Sequence, residues 1–419
     1  MNDSRRRFLR WSAAAGAAAF TAPYARAASV ARIALGPAIS SGTGSLLLLE
    51  LKGGNDGLSM VVPFGDDAYH RARPTLAKRA DELFTLDEYR GLHVALTGCR
   101  DAWDAGELAI VEGCGYPDPN RSHFKSMDIW HTADLQGRGA EQGWIGSLAD
   151  QVWEDDVEVN RIVHIGGEAP YSLNAKTHGC AAFEIPEGYR WLDHDDGLGG
   201  YADVTGGMDA EGAPRRVAPP RTPDGDTLDA MRKVLNRARA SSAAIREAAL
   251  GYRTPVEYPS GDLGATLRTA ASLLTGGIGS RVVSVTFGGF DTHNNERNRH
   301  DALMRDLGAA LAALRTDLAR SEAGKRTTLM AFSEFGRRVT ENGSGGTDHG
   351  TAGPMLVMGP RVKGGLYGKH PGLDDLEQGD MAFTTDFRRV YTDVARGVFE
   401  APKDVIDKRF RPLGIVRKA

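Results

Sequence analysis

Cysteine is scarce: the 419 residues contain three, Cys99, Cys114 and Cys180. None stands in a C-x-x-C pair, which argues against a cysteine zinc site. An odd count also fits poorly with a disulfide framework; Cys99 and Cys114 either pair or stay buried as free thiols. Charge of one sign is lacking too. With 51 basic against 55 acidic residues and a formal charge of −4, nothing signals a nucleic-acid partner. No apolar run is long enough to cross a bilayer comfortably, and no internal repeat is present. A G-x-S-x-G elbow is missing, which argues against a metal-free serine triad. What remains is an ordinary globular composition, 41% hydrophobic and 25% charged, long enough for one large domain or two to three smaller ones. Glycine, at 52 residues, is plentiful and points to many short loops and close backbone approaches.

The N-terminus has the pattern of an export signal. Ser4-Arg-Arg-Arg-Phe-Leu-Arg10 precedes the small apolar run Ser12 to Phe20, and Ala25-Arg-Ala27 is a small-x-small cleavage site. This is the twin-arginine kind of signal. We therefore expect residues 1–27 to be removed, a mature chain from Ala28, and periplasmic or secreted residence. Residues 28–43 form a lead-in.

Strands are expected at Ser45–Leu51, Leu58–Val62, Glu107–Glu112, Arg161–Gly167, Arg281–Phe287, Arg326–Phe332 and Pro354–Met358, from apolar or β-branched runs bounded by glycine. Helices are expected from about Asn120 to His131, from Gly143, over Asp226–Leu250, Gly261–Leu274 and Arg299–Ser321, and from Thr385. Strands alternating with helices imply a mainly parallel sheet covered on both faces. Residues 44–419 read as one domain, with a helical, cap-like insertion at about 168–265 and a flexible loop near 205–222.

Ligands of open α/β sheets sit at the carboxyl ends of strands, and the chain places acids and imidazoles there. Gly53-Gly-Asn-Asp56-Gly57 comes directly after the first strand, although Asn-Asp-Gly is also a plain turn signal. Asp291-Thr-His293 comes after the strand to Phe287, and Glu334 after the one to Phe332. Asp348-His349 lies in a glycine-rich loop. Carboxylate and neutral imidazole suit a divalent metal: zinc, with calcium or magnesium as alternatives. Ser122, at a helix start, sits where helix dipole and free amides favour an anion; a plain N-cap serine is the commoner meaning of such a residue. The acidic run Asp193 to Asp196 reads as a solvated loop, and Tyr69 to Arg73 as a solvated basic face.

Five spaced segments carry a family resemblance: Leu51 to Leu58, Gly289 to His293, Ser333 to Arg337, Asn342 to Gly350, and Thr385 to Tyr391. Together they resemble the DUF1501 family, exported bacterial proteins related to the alkaline phosphatase and sulfatase superfamily. The resemblance implies an alkaline phosphatase-like three-layer α/β/α sandwich and hydrolysis of a small-molecule or polymer ester of phosphate or sulfate. It implies Asp56, Asp291, His293, Glu334, Asp348 and His349 as metal ligands, with His370 the nearby candidate for a further one. By order along the chain Ser122 becomes the nucleophile. Arg121 would hold the nonbridging oxygens, and His123 or His349 would protonate the leaving group. A non-catalytic exported binding or assembly protein that keeps this fold is the rival reading. The export machinery is the one macromolecular partner expected.

Overall fold

The computed structural model describes residues 44–153, 159–189 and 225–418. The expected signal and lead-in, the acidic run 193–196 and the loop 205–222 lie outside them. Two compact units divide the chain, residues 1–34 with 189–244 and residues 35–188 with 245–419. Nearly all described residues of the first unit belong to one helix that begins at Gly225.

The second unit is built on a nine-stranded sheet. In chain order its strands are β1 (Ser45–Leu51), β2 (Leu108–Gly115), β3 (Ile162–Ile165), β4 (Cys180–Phe183), β5 (Val282–Phe287), β6 (Thr327–Phe332), β7 (Gly353–Met358), β8 (Gly365–Tyr367) and β9 (Thr385–Asp386). They lie in the order β8-β2-β7-β6-β1-β5-β3-β4, with β9 also on β2. Every pairing is parallel except those of β7, which runs against both β2 and β6. The sheet is therefore mixed but mainly parallel, as expected.

β1 is central and buried on both sides, which is why it reads as an unbroken leucine run rather than an alternating one. Leu46, Leu47, Leu48 and Leu49 are each at most 1% exposed, and burying a leucine stabilises the fold by roughly 1.5–3 kcal/mol. One face, with Leu46, Leu48, Met330 and Phe332, packs against α2 (His123–Thr132), α3 (Trp144–Val152) and α7 (Phe387–Phe399). There Trp130 stacks on Phe387 at 4.2 Å and Trp144 on Tyr391 at 4.1 Å between centroids. The other face meets α1 (Thr97–Asp104), α5 (Asp262–Thr275) and α6 (Glu296–Leu318). The helix from Gly225 to Gly251 is α4 in chain order. Among the described residues no helix is long and apolar enough to cross a membrane.

Three expectations change. Leu58 and Met60 lie in a helical turn, Gly57–Met60, and only Val61–Val62 is extended. The stretch after 168 does not leave the sheet at once, because Cys180–Phe183 is its edge strand. Tyr69 and Arg73, expected on a solvated basic face, are both fully buried.

Candidate metal centre

The carboxyl ends of β1, β5 and β6 lie side by side because the three strands are parallel and adjacent. The chain leaving β5 carries Asp291 and His293. The hairpin after β6 pairs Arg337–Glu341 with Thr347–His349, and aligns Arg337 with His349. From the side, α2 offers its first residue, His123. Trp130 and Ile129 anchor this helix in the core, so the position of His123 is fixed by packing further along the same helix.

Imidazoles close around one carboxylate oxygen. Asp291 Oδ1 lies 3.0 Å from His293 Nε2, 3.1 Å from His349 Nε2 and 3.7 Å from His123 Nε2. His293 Nε2 and His349 Nε2 are 3.0 Å apart. A cation bound tetrahedrally at about 2.0–2.1 Å spaces its ligands about 3.3 Å apart, close to these values. His123, Asp291 and His349 form a group whose ligand atoms all lie within 4.8 Å of one another.

The far side of each ring is occupied. His349 Nδ1 lies 2.9 Å from the Arg121 carbonyl oxygen, which can only accept, so this nitrogen carries the proton. His123 Nδ1 lies 2.8 Å from Glu334 Oε1, and His293 Nδ1 lies 3.4 Å from Asp348 Oδ1. Outer acceptors of this kind fix the tautomer of metal-ligating histidines. Burial holds the pKa of His349 below its ordinary value despite Asp291 beside it. In its neutral form, with the proton on Nδ1, His349 turns an Nε2 lone pair toward Asp291 and His293, whereas an imidazolium would donate there instead.

Electrostatics separate the other groups. The hydrogen bond to Glu334 raises the pKa of His123. Burial opposes ionisation of Asp291, but Arg337 and His349 outweigh it and bring its pKa down to about 2. Asn342 lowers that of Asp348.

Arg337 organises the cluster, although motif and spacing alone do not single it out beyond its closing the segment Ser333 to Arg337. Its side chain is fully buried. It donates to Gly54, Phe290 and Thr347 carbonyls at 2.7, 3.0 and 2.9 Å and to Asp291 Oδ1 at 2.6 Å. One guanidinium therefore ties together the chain leaving β1, the chain leaving β5 and the hairpin. Two glycines permit this closeness. Gly53 has φ +122° and no room for a Cβ beside Asp291, while a Cβ on Gly346 would strike the His293 backbone.

Of the expected site residues, the structure brings Asp291, His293, His349 and His123 together, with Asp348 behind His293. Others are elsewhere or differently engaged. Asp56 is sealed in a pair with Arg73, two bonds of 2.5 and 2.9 Å with both side chains fully buried; a guanidinium fills the space where a ligand role needed a metal. Glu334, also fully buried, spends its oxygens on His123, the Gly53 amide and the Ser333 hydroxyl, which makes it a support of His123. His370 pairs with Glu112 at 2.8 Å, away from the cluster, because β8 carries it to the far edge of the sheet. Arg121 points its guanidinium at buried Asp380 and serves His349 through its carbonyl. Ser122 is the exposed N-cap of α2 and makes no side-chain cap bond. The three cysteines are free thiols, with burial raising the pKa of each.

Residues 237–389 match the model of a family described as "Protein of unknown function (DUF1501)", the family whose resemblance the motifs carry. No curated protein matches the chain. Among solved structures, a 2-O GAG sulfatase is similar at 9% identity over 77% of this chain and 65% of that one, with a TM-score of 0.34. The chain thus spans just under two thirds of that relative's length. A protein in the alkaline phosphatase superfamily from Vibrio parahaemolyticus is similar at 10% identity, covering 89% and 71% of the two chains, with a TM-score of 0.37. A phosphonate monoester hydrolase from Silicibacter pomeroyi is similar at 11% identity, 88% and 76% coverage, and a TM-score of 0.32.

Proposed function

We propose that the chain is a metal-dependent hydrolase of phosphate or sulfate esters that works after export by the twin-arginine route. One observation carries the metal: Asp291 Oδ1, His293 Nε2 and His349 Nε2 converge at 3.0–3.1 Å from one another. Ligand atoms at this spacing suit a cation bound tetrahedrally at about 2.0–2.1 Å. Asp291, His293 and His349 are the proposed ligands. A donor set richer in imidazole than in oxygen favours zinc or another transition ion over calcium or magnesium.

When bound, such an ion lowers the pKa of an attacking oxygen and offsets charge on the transferred group. The chain supplies the rest. Ser122 presents its hydroxyl between Arg121 and His123 in the chain, at the end of α2 where first-turn amides favour an anion. His123, with its raised pKa and its Nδ1 braced on Glu334, hands a proton to the leaving oxygen from Nε2. His349, with its lowered pKa, remains a neutral ligand. Two imidazoles pushed in opposite directions suit two different jobs. The ester class rests on the resemblance of the five motif segments, and the export route on the Ser4 to Ala27 pattern.

Elemental analysis of the folded, exported protein, with a panel of aryl phosphate and sulfate esters, tests the reading. We expect about one transition ion per chain and turnover of one ester class. An ordered protein that stays metal-free and inert overturns it. Metal without turnover favours the binding-protein alternative.

A further inference from the structure

The second small hairpin, Leu376–Glu377 with Asp380–Met381, turns through Gln378 and Gly379, both at positive φ (54° and 85°). Such a tight turn fixes the direction of the returning strand. That strand begins at Asp380, whose side chain is 1% exposed. Its Oδ2 accepts from Arg121 Nε at 2.7 Å and again from Arg121 Nη2. Its Oδ1 lies 3.6 Å from Arg338 Nε, buried and without a hydrogen-bond partner. One carboxylate thus holds two guanidiniums and leaves a net positive charge. Both side chains remain partly open, Arg121 at 34% and Arg338 at 40% exposure. Both are joined to the imidazole cluster through the backbone. Arg121 is tied to His349 through its carbonyl, and Arg338 comes next to Arg337, the strand partner of His349.

We propose that Arg338, steadied with Arg121 by Asp380, is the specificity-determining residue that recognises a tetrahedral oxyanion, the phosphoryl or sulfuryl end of the substrate, beside the metal cluster. This rests on the hydrolase reading for the identity of the substrate, and the anion site can be measured without turnover. A guanidinium offers a fork of donors matched to such oxygens. Arg121 keeps Nη1 after bonding Asp380, and Arg338 keeps both terminal nitrogens. Asp380 is a positioning residue: it holds the two like charges together and touches no substrate.

The test is calorimetric binding of inorganic phosphate and, in a parallel arm, sulfate, with the full chain both metal-loaded and metal-stripped. Wild type is compared with Arg338→Gln, Arg338→Lys and Asp380→Asn, and metal content is measured for each. We expect Arg338→Gln to weaken binding of the preferred anion by roughly tenfold or more with metal content unchanged. Arg338→Lys should restore part of the loss, since it returns charge without the fork. Asp380→Asn should weaken anion binding while leaving metal content in place. Anion affinity equal in wild type and Arg338→Gln overturns the proposal, and so does a wild type that binds neither anion. Arg338-dependent binding in a protein that takes up no metal keeps the anion site and removes the hydrolase reading instead.

Discussion

Replacing Glu296 by Gln should make the protein more stable at alkaline pH, by an amount that grows with pH. Glu296 opens α6 and accepts from the Thr347 hydroxyl at 2.5 Å through Oε2. Its Oε1 is buried and faces the Asp56 carboxylate without a partner of its own unless it carries a proton. Burial, then the charge of Asp56, raises the pKa of Glu296 from 4.5 to about 9. The unfolded chain releases this proton near pH 4.5 and the folded chain holds it to about pH 9, so folding takes up a proton throughout that window. The contribution of Glu296 is fully present below the lower value and is lost as pH rises through the upper one. Each pH unit is worth about 1.4 kcal/mol, so the span from about 4.5 to 8 sets a ceiling of ~5 kcal/mol. Relaxation and water entry reduce this to ~1–3 kcal/mol. A glutamine fits the same space, accepts from Thr347 and donates to Asp56 with no proton to lose. Asp56 itself, held well below the carboxylate range by Arg73 against the pull of burial, titrates outside this window. Thermal melts of both proteins from about pH 5 to 8.5 give the answer. The Tm difference should be near zero at about pH 5 and reach about 2–6 °C in favour of the variant at the top of the range. A difference that stays flat across the series would refute the reasoning.

Removing the His349 imidazole (His349→Ala) should abolish stoichiometric metal uptake, read by elemental analysis, whereas His123→Ala should keep most of the metal and lose turnover. Glu334→Gln removes the group that raises the pKa of His123, so the alkaline limb of the pH–rate profile should move to lower pH; an unmoved limb would exclude His123 as the acid. Ser122→Ala should lower kcat by ~100-fold or more without changing metal content, and an unchanged kcat would assign the attack to water. Arg73→Ala leaves Asp56 buried and uncompensated, and should cost about 3–5 kcal/mol by denaturant titration.

Much of the fold was legible because buried parallel strands write themselves as apolar runs. β1, β2, β5 and β6 all appear in the sequence within a few residues of their observed bounds. The direction of β7 was not legible, since its apolar run looks the same whichever way it is threaded. At the site, Asp291, His293 and His349 were readable as short polar motifs after strands. Asp56 and Glu334 show the same local pattern, yet one faces Arg73 and the other His123. Those partners lie 17 and 211 residues away, and only tertiary packing selects between a ligand and a support. Arg337 and Asp380 escaped because a single buried charge leaves no periodic signature.

The reversed course of β7 has one more effect. An antiparallel strand begins where its parallel neighbours end, and Gly353 is accordingly aligned with Cys114 near the end of β2. His349 is therefore leashed to the sheet by only residues 350 to 352, with the Arg337 pairing on its other side. Lineages that lengthen this leash by a single residue would swing the imidazole out of the cluster, whereas the glycine-rich tip at 343–345 leaves room for insertions. Variation in length among natural relatives should fall on the tip and spare the leash.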